Sequence, residues 1–230
     1  MMRSNWMRCI ARTVFILEIV GILGLSRAQT ATQGASPIID NERVTVWETT
    51  LNPREPVSMK HHDADVVTLF LSDGDFRVTD AHGASKVTSR KRGDVVFTRK
   101  DTEEKEEVTS RNPIKMVVIE LKDHSVPPLS NTTGYPLAFP RPGSKKVIEN
   151  DRIVAWHYTW TVGVRTPMHY HDKDVVIVYL GDGLLKSVPL TGSSDVNEHK
   201  TGEIRFNKAN RTHYEVLEKG SLSAIIVELK

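Results

Sequence analysis

The chain has 230 residues, 31 lysines and arginines against 29 aspartates and glutamates, and a single cysteine. A formal charge of +2 provides no basic face for nucleic acid. One cysteine supports neither a disulfide framework nor a thiolate metal site, so the fold must stand on its own hydrophobic core.

The amino terminus reads as a removable segment. Arg3, Arg8 and Arg12 precede an apolar run from Thr13 to Leu25, and the small residues Ser26 and Ala28 flank Arg27 before Gln29. This is the order of a secretory signal peptide, and the run of about 13 residues is short of the ~20 that a membrane span needs. Residues 1–28 are therefore expected to be a signal peptide. The mature chain is then exported, periplasmic or secreted, and free of the membrane after cleavage. This segment holds four arginines and one glutamate, so the remainder carries +2 − 3 = −1. Cys9 leaves with it, and the mature chain has no thiol.

The rest reads as short strands separated by turns. β-Branched and aromatic runs predict strands over 43–51, 66–71, 94–98 and 116–121. Ser72-Asp73-Gly74 and Arg92-Gly93-Asp94 are turn signals between them. Arg90-Lys91-Arg92 and the run Glu103 to Glu107 read as solvated loops. Ser125 to Pro142 is rich in proline and reads as an extended connector whose Leu137, Tyr135 and Phe139 pack along a domain. Further strands are predicted over 152–160, 175–180, 203–207 and 224–229. No stretch has a helical period.

The second half repeats the first. Asn41-Glu42-Arg43-Val44 returns as Asn150-Asp151-Arg152-Ile153, and Met59 to Val67 returns as Met168 to Val176, both at an offset of 109 residues. The offset holds from Gly93 to Gly202 and slips to 108 by the closing Glu120-Leu121-Lys122 and Glu228-Leu229-Lys230. One domain therefore occurs twice, over 36–124 and 149–230, joined by 125–148. Many short strands at regular spacing place each copy among sandwiches or closed barrels.

The copies differ where chemistry would sit. The second has His169 and His171, two apart and on one face of a strand, with Asp174 at the head of the next strand and His213 about 40 residues on. Three imidazoles and a carboxylate suit Fe, Mn, Ni, Cu or Zn and not calcium or magnesium. The first copy has Lys60, His62 and either Glu104 or Lys105 at the matching places. It is expected to be structural or a modified binding pocket without a metal. Trp47 and Trp156 are expected in the core, and His199 in a solvated loop. Trp160, Tyr170, Tyr179 and Tyr214 are candidates for lining a substrate pocket. His157, opposite Trp156 and Tyr158 on its strand, is a candidate for proton transfer.

His169-x-His171, an acid seven residues before Gly181, a strand after Gly202 and the late His213 resemble the two motifs of the cupin superfamily. The resemblance covers both repeats, so the chain is similar to two-barrel bicupins. It implies an all-β fold, two tandem antiparallel jelly-roll barrels. The ligand set it implies is His169, His171, Asp174 and His213 around one divalent transition metal. Asp174 departs from the family's glutamate and lies closer to the second histidine, so it either reaches the metal or orients a histidine. The partner implied is a small organic molecule, with the protein a monomer or homodimer. The residues fix no reaction. A metal-dependent enzyme of oxygenase, isomerase or hydrolase type and a non-catalytic ligand-binding or structural bicupin both remain open.

Overall fold

The structure, a computed structural model, describes residues 36–124, 126 and 129–230. The signal-peptide segment and Ser125, Pro127 and Pro128 lie outside the described residues. Among the described residues every regular element is a strand. The first repeat contains β1 (Ile39–Asp40), β2 (Val44–Leu51), β3 (Lys60–His61), β4 (Asp65–Phe70), β5 (Gly74–Asp80), β6 (Ser85–Arg90), β7 (Val95–Thr98), β8 (Glu103–Val108) and β9 (Ile114–Leu121). The second contains β10 (Lys145–Glu149), β11 (Ile153–Thr159), β12 (His169–His171), β13 (Val175–Tyr179), β14 (Asp182–Pro189), β15 (Asp195–His199), β16 (Ile204–Asn207), β17 (Arg211–Ser221) and β18 (Ser223–Leu229).

Each repeat folds into two antiparallel sheets of identical order. In the first, β1-β2-β9-β4-β7 faces β3-β8-β5-β6; in the second, β10-β11-β18-β13-β16 faces β12-β17-β14-β15. The connector does not end where composition suggests, because Lys145–Glu149 already pairs with β11 as an edge strand.

Period two explains the packing. In β11, Val154, Trp156 and Tyr158 point into the second barrel, whereas Ile153 and Ala155 point out of it into a different cluster. That outer cluster joins the two repeats. Val44, Val46, Val67, Leu69, Val117 and Ile119 of the first pack with Ile153, Ala155, Val176, Val178, Ile225 and Val227 of the second. The two five-stranded sheets thus lie back to back. Their central strands β4, β9, β13 and β18 are buried on both faces, which is why these read as near-continuous apolar runs. Burying each such side chain contributes roughly 1.5–3 kcal/mol.

Paired charges fasten the rim of this interface with an internal two-fold symmetry. Arg43 Nη1 meets Asp174 Oδ2 at 3.3 Å and Arg43 Nη2 donates to the Lys230 carbonyl at 3.1 Å. Their counterparts repeat it in the opposite sense: Arg152 Nη1 meets Asp65 Oδ2 at 3.2 Å, and Arg152 Nη2 donates to the Lys122 carbonyl at 3.1 Å. The other carboxylate oxygens accept backbone N–H groups, Lys100 on Asp65 at 2.9 Å and Ala209 on Asp174 at 2.8 Å. Gly93 and Gly202, the repeat's shared turn glycines, have φ of 88° and 86°, a region that disfavours any side chain.

Candidate metal centre

The outer sheet of the second barrel presents the histidines inward. β12 runs antiparallel to β17 with His169 opposite His213, and His171 is two residues from His169 on the same face. The three rings converge, with centroids 5.1 Å apart for His169–His171, 4.8 Å for His169–His213 and 5.1 Å for His171–His213. One nitrogen from each lies within 4.8 Å of the others. The Nε2 atoms of His171 and His213 are 3.1 Å apart. Two nitrogens sharing an ion at the usual bond length of about 2.1 Å would sit about 3.0–3.4 Å apart. His169 Nδ1 donates to the Pro167 carbonyl at 2.8 Å, and His213 Nδ1 lies 2.9 Å from the Ser187 hydroxyl. Such outer partners fix ring orientation in metal sites.

Burial keeps the rings neutral, with lone pairs available. It lowers His169 to about 4, against the pull of Glu215 in the other direction. Burial, followed by the nearby Arg211, holds His171 well below its ordinary value, and burial likewise lowers His213. The residues present therefore fit a transition-metal ion through three imidazole nitrogens.

Two charged residues missed in the sequence complete the site. Glu215, two residues beyond His213 on β17, accepts from Arg141 Nη2 at 3.1 Å and Trp160 Nε1 at 3.0 Å, with its Oε1 4.0 Å from His213 Nε2. Burial alone would raise its carboxyl, but Arg141, His213 and His169 hold it at about 2. Arg141 comes from the connector. Its guanidinium lies 3.9 Å from the Tyr158 ring centre and its Nη1 is 3.2 Å from His169 Nε2. Glu215 was legible as an acid at period two from His213, had β17 been assigned; Arg141 carried no comparable signal.

The other expected site residues separate. The structure does not bring Asp174 to the histidines, because its two oxygens are engaged by Arg43 and the Ala209 amide at the barrel interface. Nor is His157 in the site. It shares the face of Ile153 and Ala155, opposite the inward Trp156 and Tyr158, and pairs along the strand with Lys145. Trp160 and Tyr179 do line the barrel interior, where Trp160 packs edge-on against Tyr158 at 4.9 Å. Tyr170 points away from His169 and His171, and its hydroxyl donates to Asn210 Oδ1 at 3.3 Å. Tyr214, likewise alternate to His213, stacks outside against Arg165. His199 is not solvated: it is 3% exposed, stacked on Tyr179 at 4.0 Å, with Nδ1 3.1 Å from Glu203 Oε2. Trp156 is core, with its Nε1 donating to Glu228 at 2.9 Å.

No protein-family model and no curated protein sequence matches the chain. Solved structures do. A cupin 2 conserved barrel domain protein from Leptotrichia buccalis aligns over 84% of this chain and 87% of its own, at 16% identity and a TM-score of 0.53. AerE from Microcystis aeruginosa aligns over 84% and 96%, at 12% identity and 0.59. Oxalate decarboxylase from Bacillus subtilis, a protein with Mn(II) centres, aligns over 81% and 69%, at 12% identity and 0.55. At such identities the likeness concerns architecture alone, and it agrees with the sheet order of both repeats: the chain has the cupin fold, built as two jelly-roll barrels in tandem.

Proposed function

We propose that this chain is an exported bicupin whose C-terminal barrel holds one divalent transition metal (Fe, Mn, Ni, Cu or Zn) and acts on or binds a small organic molecule. The observation that carries the metal is the 3.1 Å approach of His171 Nε2 to His213 Nε2 beside a third imidazole. Export rests on the order of basic, apolar and small residues in 1–28. When bound, the metal would supply Lewis acidity at oxygen atoms of a ligand. His169, His171 and His213 would hold it. Arg141, now against His169 Nε2, must yield that lone pair, and Glu215 supplies the negative charge that balances the added cation.

One observation favours binding or structure over turnover. The three histidines are 1–8% exposed, and Phe139, Arg141 and Trp160 fill the barrel around them. A substrate would need that cover to move. Elemental analysis of the purified chain beside His169→Ala/His171→Ala decides the metal; equal trace metal in both refutes it. If metal is present, a substrate panel without turnover, combined with ligands that raise the melting temperature, selects the non-catalytic reading.

A further inference from the structure

The copy without the metal ligands is the hollow one. The N-terminal barrel contains a cavity of about 610 Å³, well within the range of small-molecule sites. The repeat explains the space. The inward Tyr158 and Trp160 of the second barrel correspond, 109 residues earlier, to the smaller Thr49 and Leu51, both on the cavity wall. Phe70 and Phe76 form an apolar floor with Met116 and Val118.

The polar wall is specific. Lys60, His62 and Glu104 stand at the places of His169, His171 and His213, and Glu106 at that of Glu215. The strand pairing of Lys60 with Glu104 settles which residue replaces the last histidine, and Lys105 points to the other face, toward Glu107. His62 is only 6% exposed, and neither ring nitrogen has a hydrogen-bond partner. Glu104 Oε1 lies 3.2 Å from His62 Nε2, close enough for an ionic contact but not aligned as a hydrogen bond. Arg90, at the place of His199, lies over Phe70 and Phe76 at 5.9 and 6.0 Å, and its buried Nε also has no partner. Among the described residues no acid lies within ion-pair distance of Lys60 or Arg90, whereas Glu104 faces His62. Burial, then the neighbouring Glu104, raises the carboxyl of Glu106, against the pull of Lys60, His62 and Arg90. Lys60 and Arg90 thus stand in a cavity with an apolar floor, neither held by an acid at ion-pair distance. An unsatisfied buried donor is costly until a ligand meets it.

We propose that the N-terminal barrel is a metal-free receptor for an organic monocarboxylate with an apolar body. The carboxylate is taken by Arg90 beside Phe70 and Phe76, and the apolar body extends along the cavity away from it; Lys60 and His62, on the opposite edge of the outer sheet, line its far end. The Arg90 Nε edge offers the paired N–H geometry that suits a carboxylate. This reading is independent of whether the C-terminal barrel holds a metal.

The test is calorimetric titration of the full chain with 2-naphthoate, 3-phenylpropionate and octanoate, each beside its neutral amide. At least one acid should bind below about 1 mM, with its amide weaker by about tenfold or more. Arg90→Met, which keeps the stem over the phenylalanines, should weaken the acid by about tenfold and leave the amide unchanged. Leu51→Trp, copying Trp160, should abolish binding while the metal content of the chain stays the same. No acid binding up to about 10 mM, acid and amide of equal affinity, or full binding by Arg90→Met each overturns the proposal. Should Leu51→Trp fail to fold, Arg90→Met and the amide comparison decide.

Discussion

Replacing Glu215 by Gln would remove one charge from a buried pair while keeping an oxygen for Trp160 Nε1. Arg141 and Glu215 are 6% and 13% exposed, so the variant strands a guanidinium in the barrel. Breaking such a pair from one side costs about 3–5 kcal/mol. The Glu215 carboxyl is held at about 2, far below its ordinary 4.5, with Arg141 the foremost group that lowers it and the one the variant strands. A loss of 3 kcal/mol in a chain of this size lowers the melting temperature by roughly 6–12 °C. The sign with pH follows from the lowered value. The contribution is complete above about 4.5 and is lost as pH falls toward 2, so by pH 4 the gap between wild type and variant should narrow by roughly 1 kcal/mol. Denaturant titration at pH 7 and pH 4 measures both. Arg141→Met/Glu215→Gln should recover most of the loss, because it removes the stranded cation as well. A Glu215→Gln variant within about 0.5 kcal/mol of wild type at pH 7 would refute the buried-pair argument.

Burial lowers all three histidines, His169 to about 4 and His171 well below its ordinary value, so metal affinity should fall less between pH 7 and pH 5 than it would for exposed imidazoles. Cobalt(II) titration followed by visible absorption checks this, and a steep loss starting near pH 6.5 would show that the imidazoles titrate as exposed groups. Asp174→Asn should leave metal per chain unchanged but cost about 1–3 kcal/mol through Arg43; a fall in metal content would return Asp174 to the ligand set. Gly93→Ala should be more destabilising than Gly202→Ala, because a Cβ at Gly93 would lie 3.2 Å from Leu180 of the other barrel whereas at Gly202 it meets nothing. Equal melting temperatures for the two would argue against that inter-barrel contact; both variants carry the backbone cost of about 1–2 kcal/mol.

What could be read from the sequence tracks how many faces of a strand are buried. β2, β4, β7 and β9, with β11, β13, β16 and β18, sit in the sheets that pack back to back, and all eight are visible as β-branched and aromatic runs. The outer sheets were not. Their inward faces mix apolar residues such as Phe76, Leu185 and Leu217 with polar ones, and their outer faces meet solvent, so the hydrophobic alternation is interrupted. Glu103 to Glu107 shows this most clearly. It reads as a charged loop, yet it is β8, with Glu104 and Glu106 facing the cavity and Glu103, Lys105 and Glu107 facing out. His199 failed for the same reason: its neighbours on β15 are exposed, while its own ring closes the barrel on Tyr179.

The fate of Asp174 shows what an internal repeat measures. Its spacing from His171 invites a ligand role, but Asp65 occupies the same place in a barrel that lacks His169 and His213. A residue kept in both copies while the histidines around it are kept in only one cannot be explained by those histidines. Arg43 and Arg152 are also kept in both, and the structure joins each arginine to the aspartate of the opposite barrel. The shared residues therefore serve the two-fold packing of one barrel on the other, a demand both copies face equally. Positions that differ on the inward faces answer a different demand: Thr49 against Tyr158, Leu51 against Trp160, Lys60 against His169, Glu104 against His213. Asp174 thus belongs to the barrel interface, and Glu104 and Glu106 to the interior of the first barrel. The two interiors are chemically unlike, one packed around three imidazoles and the other open, with Lys60 and Arg90 free of an acid at ion-pair distance.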